Sequence, residues 1–184
     1  MVIYIHGFGS SGYGGKATQF REHYKTKEEV FIAPSLSYIP ELAIKTLEEI
    51  IESYDGEIKL IGSSLGGFYS IYLSSKYNLK AVLINPSIYP YKTLAKVLGN
   101  APSFYDDSTF TWLPSHVESL KKYEVLSVDD NNFMLLTQKG DETLNFQEGV
   151  NKLPKCHLVI EEGGSHGFDG IERHFERVET FFNK

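Results

Sequence analysis

Apolar residues follow two rhythms along this chain. The first is a short unbroken run, rich in β-branched side chains and closed by Gly, Pro or a polar residue. Such runs occupy residues 2–5, 30–33, 58–61, 81–84, 133–137 and 158–161. They fit strands buried on both faces, as in a parallel sheet. The second rhythm is spaced. Behind Pro40, which is tolerated in the first turn of a helix, Leu42, Ile44, Leu47, Ile50 and Ile51 recur near helical spacing to about residue 53. Helices are also expected at residues 16–25, 64–76, 144–151 and 171–182, the last with Phe175, Val178, Phe181 and Phe182 on one face. Strands alternating with helices predict a three-layer α/β/α sandwich around a mostly parallel sheet of about six strands. Right-handed crossovers then place every strand's C-terminal end on one edge, where such sheets bind ligands.

The rhythm breaks once. Residues 87–131 mix weak helix signals with aromatic-rich loop, including Tyr89, Tyr91, Phe104, Tyr105, Phe110 and Trp112. Following a strand on the ligand-binding edge, this stretch is expected to be a helical and aromatic lid inserted in a single domain spanning residues 1–184. A chain of 184 residues suffices for one well-buried core and falls short of two ordinary domains. The net charge of -6 argues against nucleic acid or an anionic membrane surface as the main partner. No apolar run approaches the roughly 20 residues that span a bilayer. The single cysteine, Cys156, excludes an intramolecular disulfide and fits a reducing compartment. Only His157 stands near it as a second ligand type, so no metal site is expected. With no charged leader before residues 2–5, the expected location is cytoplasmic.

Candidate chemistry gathers at strand ends. The third strand runs into Gly62-Ser63-Ser64-Leu65-Gly66, a G-x-S-x-G pattern with helical sequence directly after it. A sharp strand-to-helix turn exposes its central serine while straining its backbone, and bulky residues two positions either side would collide across it. That spacing selects Ser64, flanked by Gly62 and Gly66, over Ser63, flanked by Ile61 and Leu65. A nucleophilic serine needs a base, and the base needs an acid to hold its tautomer. His166, within Gly163-Gly164-Ser165-His166-Gly167 after the sixth strand, is the candidate base. Asp141 and Glu142 follow the fifth strand; Asp141 is preferred for its shorter side chain and its place nearer the strand end, with Glu142 as rival. The order Ser, Asp, His is that of α/β-hydrolases. His23, His116, His157 and His174 lie in helix or strand contexts without a comparable pattern. Acyl transfer also builds negative charge on the carbonyl oxygen, which fixed backbone N–H groups stabilise. Leu65, after the nucleophile, and Phe8, in the loop after the first strand, are the expected donors. His6 is expected to shape that loop by hydrogen bonding.

The same loop tempts a nucleotide reading. Gly7-Phe8-Gly9-Ser10-Ser11-Gly12 satisfies the dinucleotide fingerprint G-x-G-x-x-G. However, the next strand ends in Ala33-Pro34-Ser35 without the acidic residue that binds ribose, and the helix starts after the third glycine. Gly15-Lys16 hints at a P-loop, but Ser10 holds the first glycine position and Ala17 the Ser/Thr position. No nucleotide cofactor is expected.

Tyr4-Ile5-His6-Gly7-Phe8 with Ser10-Ser11, the stretch from Gly62 to Phe68, Asn85-Pro86, Gly140-Asp141-Glu142 and the stretch from Gly163 to Phe168 recur in one order. Together they make the chain resemble the α/β-hydrolase superfamily and, more closely, the small bacterial YqiA-like esterases. The resemblance implies Ser64, Asp141 and His166 as a triad and hydrolysis of esters, acyl thioesters being a further candidate class. It also implies a minimal sheet without the two leading strands of larger relatives. One position departs from the family loop, which usually carries Asn where this chain has Gly9. The leading expectation is a serine esterase acting on a small molecule through an acyl-enzyme, without metal or cofactor. The competing expectation is a non-catalytic module of the same fold that binds a ligand or partner in the same cleft. Oligomeric state is not legible at this level.

Overall fold

The computed structural model describes residues 1–184. Its strands are β1 (Val2–Ile5), β2 (Phe31–Ile32), β3 (Lys59–Ser63), β4 (Lys80–Ile84), β5 (Gly99–Pro102), β6 (Thr109–Trp112), β7 (Phe133–Gln138) and β8 (His157–Glu161). Its helices are α1 (Gly15–Tyr24), α2 (Pro40–Glu52), α3 (Leu65–Tyr77), α4 (Pro90–Thr93), α5 (Pro114–Leu120), α6 (Phe146–Lys152) and α7 (Phe175–Phe182). Six strands form one sheet in the order β2-β1-β3-β4-β7-β8, and every neighbouring pair is parallel. Strand alternation explains why both faces are apolar. Val2, Tyr4, Ile61, Val82, Met134 and Leu136 pack under α1 and α7. Ile3, Ile5, Leu60, Leu83, Phe133 and Leu135 face the opposite way, toward α2 and α3. The six expected strands are all present, and β2 is the shortest, an edge strand of half-buried residues. The C-terminal helix begins as a tighter 3-10 turn over Ile171–His174 before α7 takes over.

The inserted region holds an element its composition did not reveal. Between the short α4 and α5, β5 and β6 pair as an antiparallel hairpin. Thr109-Phe110-Thr111-Trp112 alternates as a strand should: Trp112 is buried and donates its indole N–H to the Leu94 carbonyl at 3.1 Å, while both threonines are exposed. The Phe8 ring meets the Phe110 and Trp112 rings edge-on, at centroid distances of 5.3 and 4.9 Å. Such pairs contribute about 0.5–1.5 kcal/mol each beyond their buried area. The Phe104 N–H also donates to the Gly9 carbonyl at 2.7 Å. Gly9 has φ +66°, and a side chain there would lie 2.4 Å from the Pro102 carbonyl oxygen. Docking of the hairpin therefore accounts for glycine at position 9.

A second close approach fixes the site. Helix α3 crosses β1 so tightly that a Cβ on Gly66 would sit 1.9 Å from the Ile5 carbonyl oxygen and 2.7 Å from that of His6. Both obstacles are backbone, so nothing can rotate aside. Gly66→Ala is expected to destabilise the protein by about 3 kcal/mol or prevent folding, as overpacking against immobile atoms does. Gly15→Ala, where nothing lies within 4 Å, is expected to be neutral or stabilising by up to about 1 kcal/mol. Urea unfolding of the two variants measures the difference.

Candidate active site

Ser64 sits between β3 and α3 with φ 55° and ψ -120°, a conformation that costs a non-glycine residue about 1–3 kcal/mol. The surroundings hold it there. The Ser64 N–H donates to the Ile84 carbonyl at 3.1 Å, and its own carbonyl accepts from Gly67 at 2.9 Å and Ser87 at 3.0 Å. The Ser64 hydroxyl oxygen lies 3.0 Å from His166 Nε2, and His166 Nδ1 lies 2.9 Å from Asp141 Oδ2. Asp141 Oδ1 accepts the N–H groups of Thr143 at 2.9 Å and Leu144 at 2.8 Å. An ionised carboxylate can only accept, so Nδ1 carries the imidazole proton and Nε2 presents its lone pair to the serine O–H. Burial pushes the Asp141 carboxyl up, but the hydrogen bonds from His166, Leu144 and Thr143 together hold it below the usual carboxylate range. The acid side chain is only 2% exposed, while the histidine ring, at 25%, reaches the cleft. Glu142 does not meet the ring. Its carboxylate accepts the His166 backbone N–H at 3.0 Å and so pins the loop rather than the base.

The two expected oxyanion donors are oriented through their carbonyls. Across a trans peptide, C=O and N–H point in opposite directions. The Gly7 carbonyl accepts from His6 Nδ1 at 2.8 Å and from Ser10 at 3.2 Å, which turns the Phe8 N–H the other way. The Ser64 carbonyl, bound by Gly67 and Ser87, does the same for the Leu65 N–H. Phe8 and Leu65 line a common cavity of about 130 Å³ with Leu36, Tyr38, Tyr69 and Phe110. The other ring nitrogen of His6 accepts the Leu36 N–H at 2.9 Å. With both nitrogens engaged, and burial lowering its pKa, His6 is a neutral loop-shaping group.

Three residues to which the sequence assigned no role in the site hold the histidine loop. Asn85, at φ 39° just beyond β4, donates to the Ser165 and His166 carbonyls at 2.9 and 3.3 Å and accepts the Gln138 N–H at 2.9 Å. Gln138 ends β7 and is buried. Its side chain accepts from Ser165 and Asp169 at 3.1 and 2.9 Å and donates to the Asp169 carbonyl and Glu161 at 2.9 and 2.8 Å. Lys16 Nζ donates to the Gly167 carbonyl at 2.6 Å from the start of α1. Burial lowers its pKa while the Asp141 charge acts in the opposite sense. The available signal was a polar side chain closing an apolar strand, as at Ile84-Asn85 and Thr137-Gln138.

A second cavity, of about 190 Å³, adjoins the first at Gly7, Phe8 and Ser10 and is lined by Ser64, His166, Lys16, Ser11 and Phe104. The remaining histidines are engaged elsewhere: His174 with Glu161 at 2.9 Å, His23 with Glu179, His116 with the Leu113 N–H at 3.2 Å, and His157 edge-on with the Phe181 ring. Burial pushes the Cys156 thiol up to about 11, which leaves it a poor nucleophile. No helix is long and apolar enough to cross a membrane.

Known proteins share this architecture. A putative hydrolase from Agrobacterium vitis superposes with a TM-score of 0.80, at 16% identity, covering 98% of this chain and 87% of that one. Est1E from Butyrivibrio proteoclasticus, with ferulic acid bound, gives a TM-score of 0.77 at 14% identity, covering 99% of this chain and 87% of that one. At these identities the likeness establishes an α/β-hydrolase fold. In sequence, the chain is 22% identical over 193 residues to the UPF0227 protein YcfP of Escherichia coli, covering 98% of both. The family described as "Uncharacterised protein family (UPF0227)" matches residues 1–183, nearly the whole chain, and the protein therefore belongs to UPF0227.

Proposed function

We propose that this protein is a serine hydrolase of carboxylic esters, acyl thioesters included, acting in the cytoplasm on small molecules. The observation that carries this reading is the unbroken hydrogen-bonded line from the Ser64 hydroxyl through His166 to Asp141, with the imidazole in the tautomer that accepts the serine proton. Ser64 Oγ attacks the acyl carbonyl as Nε2 takes its proton, and Asp141 stabilises the imidazolium so formed. The oxygen's developing charge meets the Phe8 and Leu65 N–H groups. His166 then protonates the leaving oxygen or sulfur, and water releases the acyl group by the same steps in reverse. The rival reading as a binding module is disfavoured because it needs no such tautomer and no strained serine.

A fluorophosphonate probe is expected to label the wild type and not Ser64→Ala, and ester turnover should fall by about 10⁴–10⁶-fold in that variant. Equal labelling of both proteins overturns the assignment.

Because a protonated imidazole cannot take the serine proton, kcat/KM should be lost on acidification. Activity undiminished in acid, with the protein still folded, argues against His166 as base.

Gln138→Leu frees the His166 loop without touching the triad. It is expected to lower kcat about 10–100-fold with a smaller change in KM, since misplacing a catalytic group by an ångström has that scale of effect. Steady-state kinetics on an activated ester decides; an unchanged kcat removes Gln138 from the account.

A further inference from the structure

The cavity beside the Phe8 and Leu65 peptides is lined by five hydroxyl-bearing residues that the mechanism leaves unused, Ser10, Ser37, Tyr38, Tyr69 and Ser103, and of these only Tyr69 is buried. Tyr69 lies on α3 four residues after Leu65, so the two share a helix face. Helical side chains lean toward the helix N-terminus, which carries the Tyr69 ring back toward the elbow. It lines the same cavity as Phe8 and Leu65 and is 3% exposed. Its phenol has no hydrogen-bond partner in the protein but is not sealed from the cavity, in contrast to Ser87 Oγ, the one unpartnered side-chain atom that is fully enclosed. Burial pushes the phenol pKa up, so the group stays a neutral donor.

The other walls narrow what that donor can meet. Leu36, Tyr38, Leu65 and Phe110 supply apolar and aromatic lining, Ser10, Ser37 and Ser103 line the more exposed parts, and no Asp, Glu, Lys or Arg reaches it. The volume of about 130 Å³ is slightly below that of an engineered apolar cavity of about 150 Å³ that accepts benzene. Ser64 and His166 line the neighbouring cavity and not this one, and the two cavities meet at Gly7, Phe8 and Ser10. Since His166 must hand its proton to the leaving group, the leaving group belongs in that neighbouring cavity, and the acyl group extends past Phe8 into this one.

Building on the serine-hydrolase reading, we propose that this cavity is the acyl pocket and that Tyr69 is its specificity residue, selecting a compact, uncharged acyl group that bears an oxygen able to accept the phenol hydrogen. In the acylation step the Ser64 Oγ–carbonyl carbon bond forms and the bond to the leaving oxygen breaks. The serine proton passes through His166 to that oxygen, while the acyl oxygen remains on Tyr69 throughout. A site built to hydrogen-bond one substrate oxygen penalises the analogue that lacks it, because the buried donor is then left unpaired.

The test uses matched p-nitrophenyl esters of equal chain length, butanoate against methoxyacetate and hexanoate against 4-methoxybutanoate. Comparison of wild type with Tyr69→Phe removes the intrinsic reactivity of each ester. The expected result is that the oxygen-to-hydrocarbon ratio of kcat/KM drops about tenfold in Tyr69→Phe for at least one pair, at an unchanged melting temperature. A ratio that does not move, or equal slowing of both members of each pair, overturns the proposal; equal slowing makes Tyr69 an oxyanion donor or a packing residue instead. Binding of the four corresponding carboxylates to Ser64→Ala, followed by calorimetry, separates this from the hydrolase reading. An oxygen-bearing acid that binds about tenfold more tightly than its partner, with the preference lost in Ser64→Ala/Tyr69→Phe, upholds Tyr69 selectivity even if the wild type hydrolyses none of the esters. Equal binding of the paired acids to Ser64→Ala overturns it.

Discussion

The contact between Gly66 and the Ile5 carbonyl sets the geometry of everything around Ser64. A helix that approaches a strand this closely leaves no gradual way from β3 into α3, so the chain must reverse sharply and Ser64 must take positive φ. The strain is balanced by three backbone hydrogen bonds that grip the serine's peptide groups from β4, from α3 and from Ser87. Those bonds have a second effect. By fixing the Ser64 carbonyl they aim the Leu65 N–H, so one arrangement exposes the hydroxyl and orients a neighbouring donor together.

The opposite wall of the cleft is organised around Phe8. Its peptide N–H is turned by the His6 and Ser10 contacts to the Gly7 carbonyl, and its ring is clasped by Phe110 and Trp112 of the hairpin. The insertion is thus anchored on the loop that would stabilise the reaction's charge, and changes in the hairpin reach that loop directly. The histidine side is held differently, through polar side chains. Asn85 and Gln138 direct five of their seven side-chain hydrogen bonds to the Ser165–Asp169 loop, and buried networks of this kind specify one arrangement when every member is satisfied.

Much of this was legible beforehand for a physical reason. A sheet buried on both faces writes itself as unbroken apolar runs, so all six strands and the edge carrying Ser64, Asp141 and His166 followed from pattern alone. Gly62 and Gly66 identified the serine because steric exclusion depends only on spacing. The hairpin was hidden because its alternation spans just Thr109 to Trp112 and its partner strand, Gly99-Asn100-Ala101-Pro102, has almost no strand propensity. It forms through tertiary packing on Phe8. The part Asn85 and Gln138 play was hidden because a polar residue at a strand end reads as a loop until its partners, 81 residues away for Asn85 and His166, are brought beside it. Tyr69 carried no signal in the sequence, because most of its helix is buried and only the folded cavity distinguishes its hydroxyl.

The central claim is that Ser64 carries the acyl group between two half-reactions. Rapid acid quench of the enzyme with an activated ester, followed by peptide mass spectrometry, tests it most directly. The account predicts an acyl increment on the Ser64 peptide that appears within the first turnover and disappears on chase as product forms. Turnover with no acyl group on Ser64, or with the increment on another residue, contradicts it.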